Sequence, residues 1–321
     1  RLANGGSPSS IGQSSSAAGN LLLGTGTILK YTGPAVSTDR NFTINGTAAG
    51  NNATLEASGS GAISWTNTAT PAYGTASQTR TLTLSGSNPG DNTLAALVTD
   101  NGGSAVGLTK AGIGTWVLSN PNNSYTGVTA INAGALPDNG SPIQQFGTLV
   151  ATKLANGGSP SSIGQSGNSA ANLLIYAANV LKYTGAGDTT DRSFTINGTA
   201  NDNMGASLDA SGTGAVQWTS TAAVLYGTTA KTRALTLTGS NTDNNSLAAL
   251  IGDNGTSATR LLKGGKGKWV LNGPVANTYS GATTVTSGTL VEDFGNMTSG
   301  YANLINTYSV LTLGGVTLTL L

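Results

Sequence analysis

Short runs in which apolar and hydroxylated residues alternate recur along the whole chain. Leu alternates with Thr at 81–84, and the same pattern returns at 235–238. A period of two places one set of side chains on each face of an extended segment, so these runs predict half-buried β-strands. The segments between them are rich in Asn, Gly and Asp, which favour turns. Runs with a helical period are nearly absent, so the pattern predicts an all-β protein.

The chain contains two near-copies of one unit. Residues 2–14 read LANGGSPSSIGQS, and residues 154–166 repeat these letters without change. A tandem repeat of this length is typical of an array architecture. Aromatic residues recur 153 or 154 positions later: Trp65 as Trp218, Trp116 as Trp269, and Tyr125 as Tyr279.

The copies divide the chain into four parts. We assign residues 1–136 to the first repeat unit and residues 153–290 to the second. Residues 137–152 form a junction that includes an insertion at 137–146. Residues 291–321 form a C-terminal strand segment that leads to a further repeat or a subunit contact. Because the chain begins inside its own repeat motif, we interpret it as a processed chain or a segment of a longer one.

Strands this short cannot bury a face alone. Stacking them in a continuous coil lets each coil cover the next and pairs the backbone amides along the axis. We therefore expect a parallel β-helix, or β-solenoid, built from two tandem repeats of about 153 residues, with coils of roughly 20 residues. Two β-sandwich domains are the alternative, because short strands with frequent turns also fit that fold.

Composition narrows the class of protein. Only 8% of the residues are charged, the net charge is +1, and the chain has no Cys and no His. This charge does not favour binding to nucleic acid or to an acidic membrane surface. No run of 18 apolar residues is present, so we expect no membrane insertion. A chain without Cys is ordinary for a bacterial surface protein, in which hydrogen-bonded sheets take the place of disulfides.

Two segments, 107–136 and 260–290, share one motif of Lys, Gly, Trp, Leu, Tyr and Thr at fixed spacing. The first segment has Lys110, Gly112, Gly114, Trp116, Leu118, Tyr125, Gly127, Thr129, Ile131, Gly134 and Leu136. The second has Lys263, Gly265, Gly267, Trp269, Leu271, Tyr279, Gly281, Thr283, Val285, Gly288 and Leu290. This motif resembles the autotransporter-associated β-strand repeat of very large bacterial surface proteins.

The resemblance implies a right-handed parallel β-helix passenger that is exported and then displayed or released. It implies no catalytic residues, and we expect no cofactor. The expected function is structural, at the bacterial cell surface or outside the cell: display, adhesion, or formation of a filament or matrix. The alternative function is that of a β-helix that binds carbohydrate or cleaves polysaccharide.

Candidate chemistry is sparse. Asp100 recurs as Asp253, and active sites are seldom duplicated in tandem, so we interpret these carboxylates as turn caps. The pairs at 39–40 and 191–192, both Asp-Arg, are interpreted as charged turns. No loop holds three closely spaced carboxylates, so we expect no metal site. The run KGGKGK at 263–268 lacks the Ser or Thr of a phosphate-binding loop, and we interpret it as a solvated edge.

The aromatic residues admit two interpretations. They could form a glycan-binding stripe, but each Trp lies in an alternating strand with apolar neighbours, which favours stacking in the core or at the edge of a coil. We assign structural repeat positions to Trp65, Trp116, Trp218, Trp269, Tyr125, Tyr279, Gly112 and Gly265.

The last residues alternate between apolar side chains and Thr, which is strong strand sequence without a cap. We expect this candidate assembly segment to contact further repeats of the same array or a neighbouring subunit stacked head-to-tail. A glycan or another cell-surface ligand is a further candidate partner, whereas nucleic acid is not. The apolar members of the segment are Val310, Leu311, Leu313, Val316, Leu318 and Leu320.

Overall fold

The computed structural model describes residues 1–132, 147–198, 205–227, 230–298, 303–314 and 317–321. These residues form two compact units. The first unit contains residues 1–132, 147–152 and 158–166, and the second contains residues 153–157 and the described residues from 167 onward. The insertion expected at 137–146 lies outside the described residues.

In the first unit, a 3₁₀ helix covers Ala18–Asn20. The strands of this unit are β1 (Leu22–Leu23), β2 (Thr27–Tyr31), β3 (Val36–Thr38), β4 (Thr43–Ile44), β5 (Asn51–Ala57), β6 (Ile63–Trp65), β7 (Ala72–Tyr73), β8 (Arg80–Ser85), β9 (Asn92–Leu94), β10 (Val106–Ala111), β11 (Thr115–Leu118), β12 (Thr129–Asn132) and β13 (Thr148–Ala151).

In the second unit, 3₁₀ helices cover Ala170–Asn172 and Phe294–Asn296. The strands are β14 (Leu173–Tyr176), β15 (Val180–Tyr183), β16 (Ala186–Thr190), β17 (Thr195–Asn197), β18 (Ala206–Ala210), β19 (Gly214–Trp218), β20 (Leu225–Tyr226), β21 (Arg233–Thr238), β22 (Asn245–Leu247), β23 (Thr259–Lys263), β24 (Lys268–Leu271), β25 (Thr283–Val285), β26 (Thr289–Glu292), β27 (Leu311–Leu313) and β28 (Thr317–Leu320).

Each unit is a parallel β-helix. In the first unit, the strands stack in the orders β1-β4-β7, β2-β5-β8-β10-β12 and β3-β6-β9-β11-β13. In the second unit, the orders are β14-β17-β20, β15-β18-β21-β23-β25-β27 and β16-β19-β22-β24-β26-β28. Each strand inside these orders therefore pairs with one strand of the preceding coil and one of the following coil. Every strand pairing described within either unit is parallel, which confirms the expected solenoid and excludes antiparallel β-sandwiches.

Successive coils differ in length. In the first unit, Thr27 pairs with Ala53, Ala53 with Leu82, Leu82 with Leu108, and Leu108 with Thr129. The coils are therefore 26, 29, 26 and 21 residues long at these positions, longer than the roughly 20 residues expected from sequence. The strands keep their register because the connections between the sheets absorb the differences.

The core lies inside the coils. Leu82 and Leu84 of β8 are fully buried, whereas Thr81 and Thr83 between them are only partly buried and face outward. Burying one such Leu side chain contributes about 1.5–3 kcal/mol, and stacked coils repeat this gain at every inward position. In the described residues, no helix is long and apolar enough to cross a membrane.

Candidate functional site

Two buried lysines stand at the centre of the repeated motif. Lys110 in β10 lies in register with Leu84 and Ile131, at an inward position, and its side chain is not exposed. Its Nζ donates to the carbonyl oxygens of Ala111 and Gly112, each 2.8 Å away. Burial lowers the pKa of Lys110 to about 7, because a low-dielectric interior disfavours the charged amine.

Lys263 occupies the equivalent position in β23. Its Nζ donates to the carbonyl oxygens of Gly264 at 2.6 Å and of Gly265 and Ser287 at 3.0 Å. Burial lowers its pKa to about 8. The solvated edge expected for residues 263–268 is therefore wrong for Lys263, because the side chain enters the core to satisfy the carbonyls of the turn.

The glycines that follow these lysines are required by the backbone. Gly112 has φ +67° and Gly265 has φ +65°, in the left-handed region that side chains disfavour. A Cβ on Gly112 would lie 2.5 Å from the carbonyl oxygen of Gly86, and one on Gly265 would lie 2.5 Å from that of Gly239. Each turn thus rests directly on the backbone of the preceding coil.

Trp116 and Trp269 join consecutive coils. Their indole Nε1 atoms donate to the carbonyl oxygens of Ser85 and Thr238, respectively, at 2.8 Å. Their side chains are 1% and 0% exposed. Each Trp therefore contributes buried area and also satisfies the carbonyl of the last residue of a strand in the preceding coil.

Trp65 and Trp218 are also buried, each 3% exposed. Trp65 packs edge-on against Phe42, with ring centroids 5.9 Å apart, and Trp218 packs in the same way against Phe194 at 5.7 Å. Unlike Trp116, Trp65 has no hydrogen-bond partner for its Nε1 atom among the residues that the structure describes. With all four Trp buried, these side chains do not form a stripe on the surface.

Tyr125 and Tyr279 are fully buried in the same motif. The hydroxyl of Tyr125 lies 2.8 Å from Thr129 Oγ1, and that of Tyr279 lies 2.7 Å from Thr283 Oγ1. Burial raises the pKa of Tyr279 to about 12. These hydroxyls are held within the core, where they link the loop before each strand to the strand itself.

The duplicated aspartates cap turns. Asp100 Oδ1 accepts hydrogen bonds from the backbone N–H groups of Val106 at 2.9 Å and Thr126 at 2.8 Å, and Oδ2 accepts from Thr126 Oγ1 at 2.6 Å. Asp253 makes the three equivalent contacts in the second unit. The turn-capping role expected for these residues is confirmed, and both carboxylates connect one coil to the next.

Arg40 departs from the expected charged turn. It is 2% exposed, and its guanidinium donates to the carbonyl oxygens of Ala3 and Gly12 and to Ser14 Oγ at 2.9–3.1 Å. This interpretation was therefore wrong for Arg40, because the guanidinium satisfies the polar groups of the N-terminal loop instead of water.

Arg80 was missed by sequence reasoning. It is 1% exposed and donates to the carbonyl oxygens of Gly46, Ala48, Thr75 and Thr79 at 2.8–3.2 Å. The alternation of β8 carried the signal, because Arg80 has the same parity as the inward residues of that strand. Its role is to hold the loops around it together.

The other carboxylates of the described residues do not form a metal cluster. Glu56 forms an ion pair with Lys30, whose Nζ lies 2.8 Å from Glu56 Oε1. The hydrogen bond from Lys30 holds the pKa of Glu56 below its usual value. No group of three or more His, Cys, Asp or Glu that could hold a metal ion occurs in the part of the chain that the structure describes.

The second unit carries a surface groove of about 390 Å³, which we call the Arg260 groove. It lies on the outer face of β21, β23 and β25, and Arg260 is its charged residue. Sequence reasoning did not find it, because it depends on side chains that are neighbours only across coils. Its lining includes Ala234, Arg260, Leu262, Gly281, Ala282 and Thr284.

The candidate assembly segment forms β27 and β28, the outermost strands of their sheets within the second unit. Val310 is 69% exposed, Leu311 40%, Leu313 47% and Leu320 64%. Val316 lies outside the described residues. Leu311 and Leu313 pair in register with the inward-facing residues of β25, so their exposed side chains continue the row of inward positions.

Comparisons with known proteins agree with the motif. Residues 108–136 and 261–291 match the family model of the passenger-associated-transport-repeat. Over 315 residues, or 98% of its length, the chain is 42% identical to "Adhesin BmaC autotransporter" of Brucella suis biovar 1 (strain 1330). The chain spans 8% of the length of that curated relative. No solved structure matches the chain. These findings confirm the resemblance to autotransporter passenger repeats.

Proposed function

We propose that this chain, a bacterial autotransporter passenger repeat protein located at the cell surface or outside the cell, is a non-enzymatic structural part of an adhesin. The observation that carries the proposal is the 42% identity, along 98% of the chain, to a segment of a protein named as an adhesin. Because the chain corresponds to 8% of that relative, the adhesive activity of the whole protein is part of the proposal.

The use of the polar side chains supports a scaffold. Lys110, Arg80 and Asp100 each bind backbone groups of the chain itself. The Trp side chains are buried, so the alternative of a carbohydrate-binding or polysaccharide-cleaving β-helix cannot use them as a surface platform. Residues arranged in this way stabilise stacked coils, which then present loops and outer sheet faces to a ligand.

Adhesion is tested with beads that carry the full chain. We expect the beads to adhere to epithelial cells or to an extracellular-matrix coating more strongly than beads carrying an unrelated β-helix. Binding no stronger than this control would contradict the adhesive proposal. Release of reducing sugar from bacterial or host polysaccharides, abolished by a single Asp→Asn change, would instead overturn the non-enzymatic part.

A second proposal concerns assembly into a filament or matrix. The apolar side chains of Leu311 and Leu313 stack on inward positions of the preceding coil and remain exposed. We infer that another coil of the same repeat type covers them, because such a coil would supply apolar side chains in register. This coil would belong to the same polypeptide or to a neighbouring copy.

Sedimentation velocity and electron microscopy of the chain over a range of concentrations test this contact. We expect concentration-dependent, end-to-end association that changes little with salt, because apolar burial is not screened. Leu311→Asn with Leu313→Asn should abolish it, whereas the outward-facing Thr312→Asn should not. A dispersed monomer at high concentration, unaffected by either change, would show that copies of this chain do not use the contact.

A further inference from the structure

At the Arg260 groove, the two units carry different outward side chains at equivalent positions. Two of the inward residues of β10, Leu108 and Lys110, recur in β23 as Leu261 and Lys263. The outward residues are not alike, so packing of the core does not account for them. The outward positions that differ between the units include five that line the groove. The first unit has Thr81, Gly107, Thr109, Val128 and Ala130 where the second has Ala234, Arg260, Leu262, Ala282 and Thr284.

The guanidinium of Arg260 is available to a ligand. Arg260 is exposed, and no carboxylate of the described residues forms an ion pair with it. Asp253, whose turn adjoins the groove, accepts hydrogen bonds from Thr259 N at 2.8 Å, Ser280 N at 2.9 Å and Ser280 Oγ at 2.7 Å. Both Asp253 oxygens are thus engaged within the fold. A free guanidinium recognises carboxylates by two parallel hydrogen bonds.

Small residues make room beside this charge. Ala234 pairs in register with Arg260, and a Cβ on Gly281 would lie 2.9 Å from Arg260 Cγ. The stem of Arg260 therefore packs over Gly281. Leu262 offers an apolar contact, and Thr284, in register with it, offers a hydroxyl group. A groove of about 390 Å³ lies within the size range of small-ligand sites.

We propose that the Arg260 groove binds a carboxylated sugar residue of a surface glycan. Arg260 binds the carboxylate, Thr284 exchanges hydrogen bonds with ring hydroxyls, and Leu262 contacts the apolar face of the sugar. An acidic peptide would also satisfy Arg260, but the combination of Thr hydroxyl groups with a small apolar surface of Leu and Ala in a short groove favours a saccharide. This inference rests on the proposed adhesive function and names the ligand class of one surface.

The test is saturation-transfer NMR and calorimetry on the full chain. The probes are the methyl glycosides of glucuronic acid and N-acetylneuraminic acid, with methyl glucoside as the neutral control and a short poly-Glu peptide as the competing class. We expect the chain to bind at least one acidic glycoside and not the neutral one. Arg260→Gly, which installs the residue of the first unit, should weaken binding about tenfold or more. Ala282→Val, which fills the groove, should also weaken it.

The matched control is Lys268→Thr, which removes one positive charge from the same motif and also installs the residue of the first unit. We expect it to leave binding unchanged. Equal losses in Arg260→Gly and Lys268→Thr, binding of the peptide alone, or no binding of either acidic glycoside would each overturn the inference. Bead adhesion without acidic-sugar binding would refute only this inference, whereas sugar binding without bead adhesion would refute only the adhesive proposal.

Discussion

Lys110 and Lys263 occupy equivalent positions, but among the described residues Lys110 Nζ contacts two backbone carbonyls and Lys263 Nζ contacts three. A neutral amine has two N–H groups, whereas an ammonium has three. Burial lowers both pKa values, to about 7 for Lys110 and about 8 for Lys263. The additional acceptor at Lys263, the carbonyl of Ser287, matches the third N–H of the charged form.

The first prediction concerns pH. Between about pH 7 and the ordinary lysine pKa of 10.5, the unfolded chain holds a proton that folded Lys110 has lost. The free energy of unfolding should therefore rise with pH, by up to about 1.4 kcal/mol per pH unit for each such lysine. Urea denaturation from about pH 6 to about pH 9 measures this slope. Lys110→Met should reduce it, and the exposed Lys266→Met is the control. A slope that Lys110→Met leaves unchanged would contradict the prediction.

The second prediction concerns Gly112. Gly112→Ala places a Cβ 2.5 Å from the carbonyl oxygen of Gly86 on a backbone with φ +67°. We expect a loss of about 3 kcal/mol or more, because steric overlap adds to the cost of a left-handed residue. Gly6→Ala is the control, since Gly6 has φ +80° but open space around it, and it should cost only about 1 kcal/mol. Equal shifts of the urea midpoint in Gly112→Ala and Gly6→Ala would show that the close contact with Gly86 of the preceding coil is unimportant.

The third prediction concerns the aspartate that caps a turn. Asp100→Ala removes three accepted hydrogen bonds and should cost about 2–3 kcal/mol. Hydrogen exchange should accelerate at the amides of Val106 and Thr126, which lose their acceptor. The exposed Asp91→Ala is the control and should change neither stability nor exchange. Unchanged protection at both amides in Asp100→Ala would refute the capping role.

The fourth prediction compares two tryptophans. Trp116→Phe loses the hydrogen bond to the carbonyl of Ser85, whereas Trp65→Phe loses no such bond. Both changes remove a similar volume from the core. Trp116→Phe should therefore be the more destabilising change, by about 1 kcal/mol, in thermal or urea unfolding. The reverse order would indicate that ring packing against Phe42 outweighs the hydrogen bond.

The sequence predicted the strands well where alternation was regular. The runs at 81–84 and 235–238 lie within β8 and β21. Coil length was underestimated, because turn-rich connections vary in length without changing the register. The buried Arg80 and Lys110 were not predicted, since a charge normally signals solvent. Backbone carbonyls that converge only after folding satisfy these side chains.

The repeat motif was recognised because each residue that carries it has a fixed structural role. Gly112 and Trp116 each have a fixed backbone or hydrogen-bonding requirement, and such requirements leave a constant spacing in the sequence. The Arg260 groove left no such trace. Its lining residues are brought together across β21, β23 and β25, and the small size of Ala282 matters only beside Arg260.

The variable coil length has a practical consequence for protein engineering. The coil from Ala53 to Leu82 is eight residues longer than the coil from Leu108 to Thr129, 29 against 21, although both close with parallel pairing. The additional chain lies in connections such as 66–70, which runs mainly along the surface. A foreign peptide grafted between the exposed residues at 69 and 70 should leave the hydrogen-bonded ladders intact. The fold could then serve as an epitope carrier, in which the connection chosen for the graft decides where the foreign peptide is displayed.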